Sequence, residues 1–250
     1  MTGEELTPAG VEDLRTAGDV EGLIRALSAA QPAEVRRAAA ASLGDLVDRR
    51  AVEPLIAALG GKEGEVRLAA VLSLAKIADP RAVPPLLALL SDPDGDVRTA
   101  TVIALGMVRD PSSVPALVAA IADPHTPVRD AVAWALGAMK DERAVRPLIR
   151  GLSDPEWHVR MEAEWALLEI GPSAVDPLIA ALHDEGVRWK AAGVLVKLGS
   201  VALGPLEKAL RETADPNIRQ GGEWALKKIQ ELKARLKERD PFADRNIPGR

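Results

Sequence analysis

The chain has 250 residues, 47% of them hydrophobic, with no Cys, no Tyr, one Phe and five Trp. Its formal net charge of −5 argues against nucleic-acid binding by charge, and the missing Cys excludes disulfides, Cys-ligated metals and thiol nucleophiles. No apolar run approaches a membrane span and the acidic start MTGEELTPAG lacks the basic and apolar regions of a secretory signal, so a cytoplasmic location is expected.

In chain order, residues 1–18 read as an N-terminal cap, with a short helix over 8–17. Residues 19–230 then repeat. A Val-Arg or Ile-Arg pair recurs at Val35, Val66, Val97, Val128, Val159, Val187 and Ile218, at spacings of 31, 31, 31, 31, 28 and 31. A second marker keeps step: AVEPLIAAL (51–59), AVPPLLALL (82–90), SVPALVAAI (113–121), AVRPLIRGL (144–152) and AVDPLIAAL (174–182).

The segment 79–109 serves as the type unit. Pro84 and Pro85 fall in a first helical turn, where a missing N–H costs little. Val83, Leu86, Leu87 and Leu90 share one helical face. SDPDGD breaks the pattern, and a longer helix follows over about 96–109, with core positions expected at Val97, Thr101, Ala104, Leu105 and Val108. A single such hairpin cannot bury its apolar face; a stack of them can.

Unit six, 172–199, is shorter at its lead-in and at its inter-helix turn, where HDEGVR (183–188) replaces the longer SDPxxxVR. The last helix, about 217–239, carries a charged extension over 231–239, and 240–250 reads as a flexible tail. The expected architecture is one domain, 1–239: an all-α, right-handed solenoid of about seven hairpins, with no strand.

The D-x-R-A-V-x-P-L start, the D-P-x-x-x-V-R turn and the A-L-G end resemble the HEAT-repeat family, most closely its short, 31-residue branch of phycobilisome-lyase-type HEAT-like repeats. The resemblance covers roughly 19–230. It implies a solenoid whose second helices line a concave face, and an Asp/Arg ladder between units. This repeat serves many unrelated roles, so it says little of function.

Asp92/Arg98, Asp123/Arg129 and Asp154/Arg160 share one spacing and read as that ladder, since residues present in nearly every unit cannot mark one active site. His125, His158 and His183 give no converging ligand set, so no metal or other cofactor is expected. The HEAT-like iron hydroxylases of deoxyhypusine carry repeated His-Glu pairs, and this chain has no His-Glu dipeptide. Nucleophile-elbow, phosphate-loop and dinucleotide patterns are absent, and no catalytic residues are assigned.

Three Trp recur before Ala-Leu, in AVAWALGAM (131–139), EAEWALLEI (162–170) and GGEWALKKI (222–230). Core positions of the second helices follow the marker Val by four, seven, eight and eleven residues. The position six after it points roughly 130° away and reads Ala41, Leu72, Ile103, Trp134, Trp165, Gly193 and Trp224. On the concave face that the resemblance implies, it and its helical neighbours would place Leu68, Leu72, Ile103, Met107, Asp130, Trp134, Met161, Trp165, Trp189 and Trp224 in the groove, flanked by Glu162 and Glu169, with Trp157 at a rim. Large apolar side chains beside carboxylates suit a basic or amphipathic protein segment.

A non-enzymatic, monomeric binding scaffold for a protein or peptide is the first reading, with neither nucleic acid nor membrane as partner. The alternatives, taken from the resemblance, are a bilin lyase or bilin-handling subunit acting on phycobiliproteins, and a HEAT-like DNA glycosylase. The acidic balance argues against the last, which needs a basic groove.

Overall fold

The computed structural model describes residues 6–239, and the tail expected over 240–250 lies outside them. Among the described residues all regular structure is helical. Contacts divide the chain into two compact units, the first ending at Met139 and the second beginning at Lys140. The fold is an all-α solenoid of helical hairpins.

In the first unit α1 (Pro8–Thr16) is capped by Thr7, whose hydroxyl accepts from the Gly10 amide at 3.2 Å. Hairpins follow: α2 (Val20–Ala26) with α3 (Ala33–Leu46), α4 (Val52–Ala58) with α5 (Gly64–Ile77), α6 (Val83–Ala88) with α7 (Gly95–Val108), and α8 (Val114–Ala120) with α9 (Thr126–Met139). One local chemistry joins them. Val47, Ala78 and Arg109 end α3, α5 and α7 in the left-handed region, with φ of 51°, 52° and 57°. The next residue, Asp48, Asp79 or Asp110, accepts from the amide two positions on, at 2.8, 3.0 and 2.8 Å. A 3₁₀ turn then leads into the next first helix.

Packing follows the periodicity. Val52 and Leu55, Val83 and Leu86, and Val114 and Leu117 from the first helices are fully or almost fully buried, as are Leu43, Leu74, Leu105 and Leu136 from the second. Burying one such Leu is worth roughly 2 kcal/mol. Of the type unit's expected core, Val97, Thr101, Ala104 and Leu105 are buried, but Val108 is only half-buried and Val102 is fully buried instead. The reason is that a second helix is covered on two sides. It packs on its own hairpin partner and also on its neighbours, α3 against α5, α5 against α7 and α7 against α9. The position five after the marker Val faces that second contact, and Ala40, Val71, Val102 and Ala133 are all buried there.

The ladder is present. Arg67 Nε and Nη2 donate to both oxygens of Asp92 at 2.7 and 2.9 Å, and Arg98 does the same to Asp123 at 2.8 and 2.9 Å. Each arginine thus reaches an aspartate 25 residues ahead, in the next hairpin. Its third nitrogen turns back: Arg98 Nη1 donates to the Asp92 carbonyl at 2.8 Å. The arginine therefore ties two inter-helix turns together.

Acid should loosen these contacts. The hydrogen bonds from the Arg81 side chain and amide hold the Asp79 carboxyl down at about 2. Burial would raise the Asp92 carboxyl, but Arg67 and the Asp94 amide outweigh it and bring it below its ordinary value. A depressed carboxyl stabilises the fold above its unfolded pKa of about 3.9, and that stability is lost as pH falls toward the folded value. The melting midpoint should hold from neutral pH to about 4 and then fall. Asp79→Asn should flatten part of that fall, and an acid profile unchanged by the substitution would remove Asp79 from this account.

The second unit comprises α10 (Val145–Gly151), α11 (Trp157–Ile170), α12 (Val175–Ala181), α13 (Arg188–Leu198), α14 (Ser200–Glu212) and α15 (Pro216–Arg239). The shortened hairpin shows what its lost residues did. α5, α7, α9 and α11 each begin two residues before their marker Val, whereas α13 begins one residue after Val187 and has 11 residues instead of 14. The ladder breaks here. Asp184 follows Val175 as Asp92 follows Val83, but it is exposed, accepts from the Gly186 amide at 2.8 Å and makes no ion pair with Arg160. Arg188 is buried and donates to the Leu182 carbonyl at 3.0 Å and to Gln220 at 3.2 Å, leaving its Nη2 without a partner.

Candidate functional site

Second helices carry most of the large exposed apolar side chains, and each unit has a concavity among them. In the first unit a concavity of about 440 Å³ is lined by Leu68 and Leu72 of α5, Ile103 and Met107 of α7, and Ala41 of α3. Leu72 and Met107 are exposed, whereas Leu68 and Ile103 are half-buried. Its charged rim is largely paired: Lys76 bonds Asp45 at 2.7 Å, and Arg37 lies 3.9 Å from Glu65.

Trp134, on α9, is half-buried. A Cβ at Gly106 of α7 would lie 2.7 Å from its ring, so this indole packs over a glycine of the neighbouring helix and serves the stack as well as the surface. Asp130, which the sequence places on the groove face, is half-buried, and its Oδ1 is buried without a partner.

In the second unit Met161 and Trp165 of α11 are 59% and 40% exposed, Trp189 of α13 is 48% and Trp224 of α15 is 39%. Trp189 and Trp224 meet edge to face, with ring centroids 5.9 Å apart and planes at 83°. Beside them a concavity of about 460 Å³ is lined by Trp157, Met161, Trp189, Arg160, Glu164 and Lys190, among others. Gly193 leaves its floor open, since a Cβ there would meet nothing within 4 Å.

Carboxylates of α11 meet lysines. Glu169 is engaged by Lys140 at 2.7 Å and Glu164 is paired with Lys197. Sequence reasoning missed Arg160, which it assigned to the ladder; the 28-residue spacing of unit six is the signal that could have exposed it.

Among the described residues no three His, Asp or Glu side chains converge as a metal site, and no helix is long and apolar enough to cross a membrane. His183 pairs with Asp215, and His125 packs against Gly95.

The family described as HEAT repeats matches the chain over residues 20–105, 83–168 and 147–227. No curated protein matches it in sequence. Among solved structures, the CpcE and CpcF complex of phycocyanin lyase from Nostoc sp. PCC7120 is similar at 24% identity, with a TM-score of 0.56, over 93% of this chain and 97% of that one. An engineered protein is similar at 23% identity and a TM-score of 0.55, over 85% and 97%. A designed armadillo repeat protein, in complex with the peptide (KR)4, is similar at 19% identity and a TM-score of 0.51, over 84% and 99%. At these identities the likeness speaks for the fold alone.

Proposed function

Because the chain belongs to the HEAT-repeat family, matched from residue 20 to residue 227, we propose that it is a non-enzymatic scaffold holding a peptide segment of a partner protein against its second helices. One observation carries this reading. Leu72, Met107, Met161, Trp165, Trp189 and Trp224 are large, apolar and exposed, on helices whose other faces are buried. Trp and Met are the side chains that anchor recognition surfaces. The designed armadillo repeat protein solved with a peptide supports the idea that a repeat stack can hold one.

The test is selection from a displayed library of random peptides. The chain should enrich a set of sequences, and a Trp165→Ala/Trp189→Ala variant should bind them far more weakly, since a central aromatic anchor is worth about 2 kcal/mol or more. The variant should keep its helicity and lose little of its melting midpoint, because both rings are partly exposed and the contact given up is the edge of Trp189 on Trp224. A variant that unfolds would make these Trp structural and end the reading.

A second reading, handling of a bilin, is favoured by the likeness to the phycocyanin lyase complex and by an aromatic-walled concavity of about 460 Å³. Visible absorbance that co-elutes with the chain after mixing with free bilin would establish it.

A further inference from the structure

We propose that the concavity beside Trp157 and Trp189 takes an acidic peptide: an Asp or Glu flanked by apolar residues, with its carboxylate held by Arg160 and Lys190. This rests on the binding reading above and names the chemistry of the ligand.

The broken ladder is the first ground. In Arg67 and Arg98 the Nε and Nη2 pair grips both oxygens of an aspartate 25 residues ahead. Arg160 stands in the same register, directly after its marker Val. Its Nη1 is fixed as theirs are, donating to the carbonyls of Asp154 and Pro155, both at 2.7 Å. The acid that should complete the pair is lost, because the shortened turn leaves Asp184 exposed and bonded to the Gly186 amide. The guanidinium fork is therefore oriented by its own turn while its two remaining donors have no acceptor. A planar fork held in advance loses little entropy on taking a carboxylate.

The charge around it is the second ground. Lys190 donates to Ser153 Oγ at 3.2 Å and to the Gly186 carbonyl at 3.3 Å, and it meets no carboxylate. Glu164 is already neutralised by Lys197. The lining is thus a positive island in a chain of net charge −5. A basic segment, which the Glu-rich sequence of α11 suggests, would meet this island unfavourably. The third ground is shape: Trp157, Met161 and Trp189 supply apolar walls within reach of the fork, so a carboxylate and a neighbouring apolar side chain can be satisfied together.

The displayed random-peptide library tests this. Enriched sequences should carry Asp or Glu next to Leu, Ile, Met or Phe, and their binding should weaken with added salt. Arg160→Gln should weaken binding by about tenfold or more, the usual size of a lost charge-assisted hydrogen bond. Lys190→Gln, at an exposed side chain whose amide can still donate to the turn, should weaken it by about threefold and carries the test if Arg160→Gln melts early. Enriched peptides without acidic residues, or unchanged affinity in the Lys190→Gln and folded Arg160→Gln variants, would overturn the proposal. Uncharged or basic peptides that still require Trp189 would leave the binding face in place and overturn only the carboxylate. Failure to enrich any peptide would overturn both.

Discussion

Arg67→Ala should lower the unfolding free energy by about 3–5 kcal/mol, the cost of breaking a buried ion pair by removing one partner. The arginine side chain is 11% exposed and its partner Asp92 is 3% exposed. Truncation removes two bonds to that carboxylate, and two more to the carbonyls of Gly61 and Lys62 at 3.0 and 2.8 Å. Asp92 would keep the Asp94 amide at 2.9 Å, too little for a charge out of water. Arg50→Ala is the control. The Arg50 side chain is 59% exposed, so water screens its pair with Asp48 and the loss should be much smaller. Urea titrations that give the two variants equal losses would refute the ladder's role. Arg67→Lys should recover only part of the loss, since an ammonium cannot bond both oxygens in one plane.

Gly44→Ala should destabilise and Gly193→Ala should stabilise, although both glycines sit inside helices. In open space the change gains about 0.5–1 kcal/mol of helix propensity. That gain should appear at Gly193, where a Cβ meets nothing within 4 Å. At Gly44 the added carbon would lie 2.4 Å from Ser73 Oγ and 2.7 Å from Ser73 Cα. A backbone atom cannot rotate aside, so α3 and α5 must separate and strain the Ser73 hydroxyl's bond to the Ala40 carbonyl, now 2.8 Å. Overpacking of this kind costs about 1–3 kcal/mol, which outweighs the propensity gain and leaves a net loss of about 1 kcal/mol. Melting curves of the two variants that shift in the same direction would show that this close approach does not govern α3 against α5.

The hairpins and their order were legible because each residue type recurs where one physical need recurs: Asp after a left-handed residue, Pro in a first turn, Val and Leu toward the partner helix. Val102 was not, because one hairpin's periodicity cannot reveal burial against the next hairpin. The exposed column was legible in part. Trp165, Trp189 and Trp224 stand clear of the core, while Trp134 leans on the space that Gly106 leaves. That contact depends on a residue 28 positions away on another helix. Arg160 was hidden for a similar reason. Its Val-Arg pair is indistinguishable from that of Arg98, and only the path of the turn before Val187 decides that Asp184 does not reach it.

The ladder's fixed reach also governs how such a chain can change length. Within the first unit Arg67 and Arg98 find their acids at the same remove. If residues 80–110 were excised, Arg67 would face Asp123 where Asp92 had stood, and Asp79 would lead into the turn that Asp110 now begins. Gains and losses of a whole period keep the ladder in register, so growth in steps of 31 residues breaks no rung. A loss that is no multiple of the period, like the three residues missing from unit six, strands a charge, and a stranded charge is raw material for recognition.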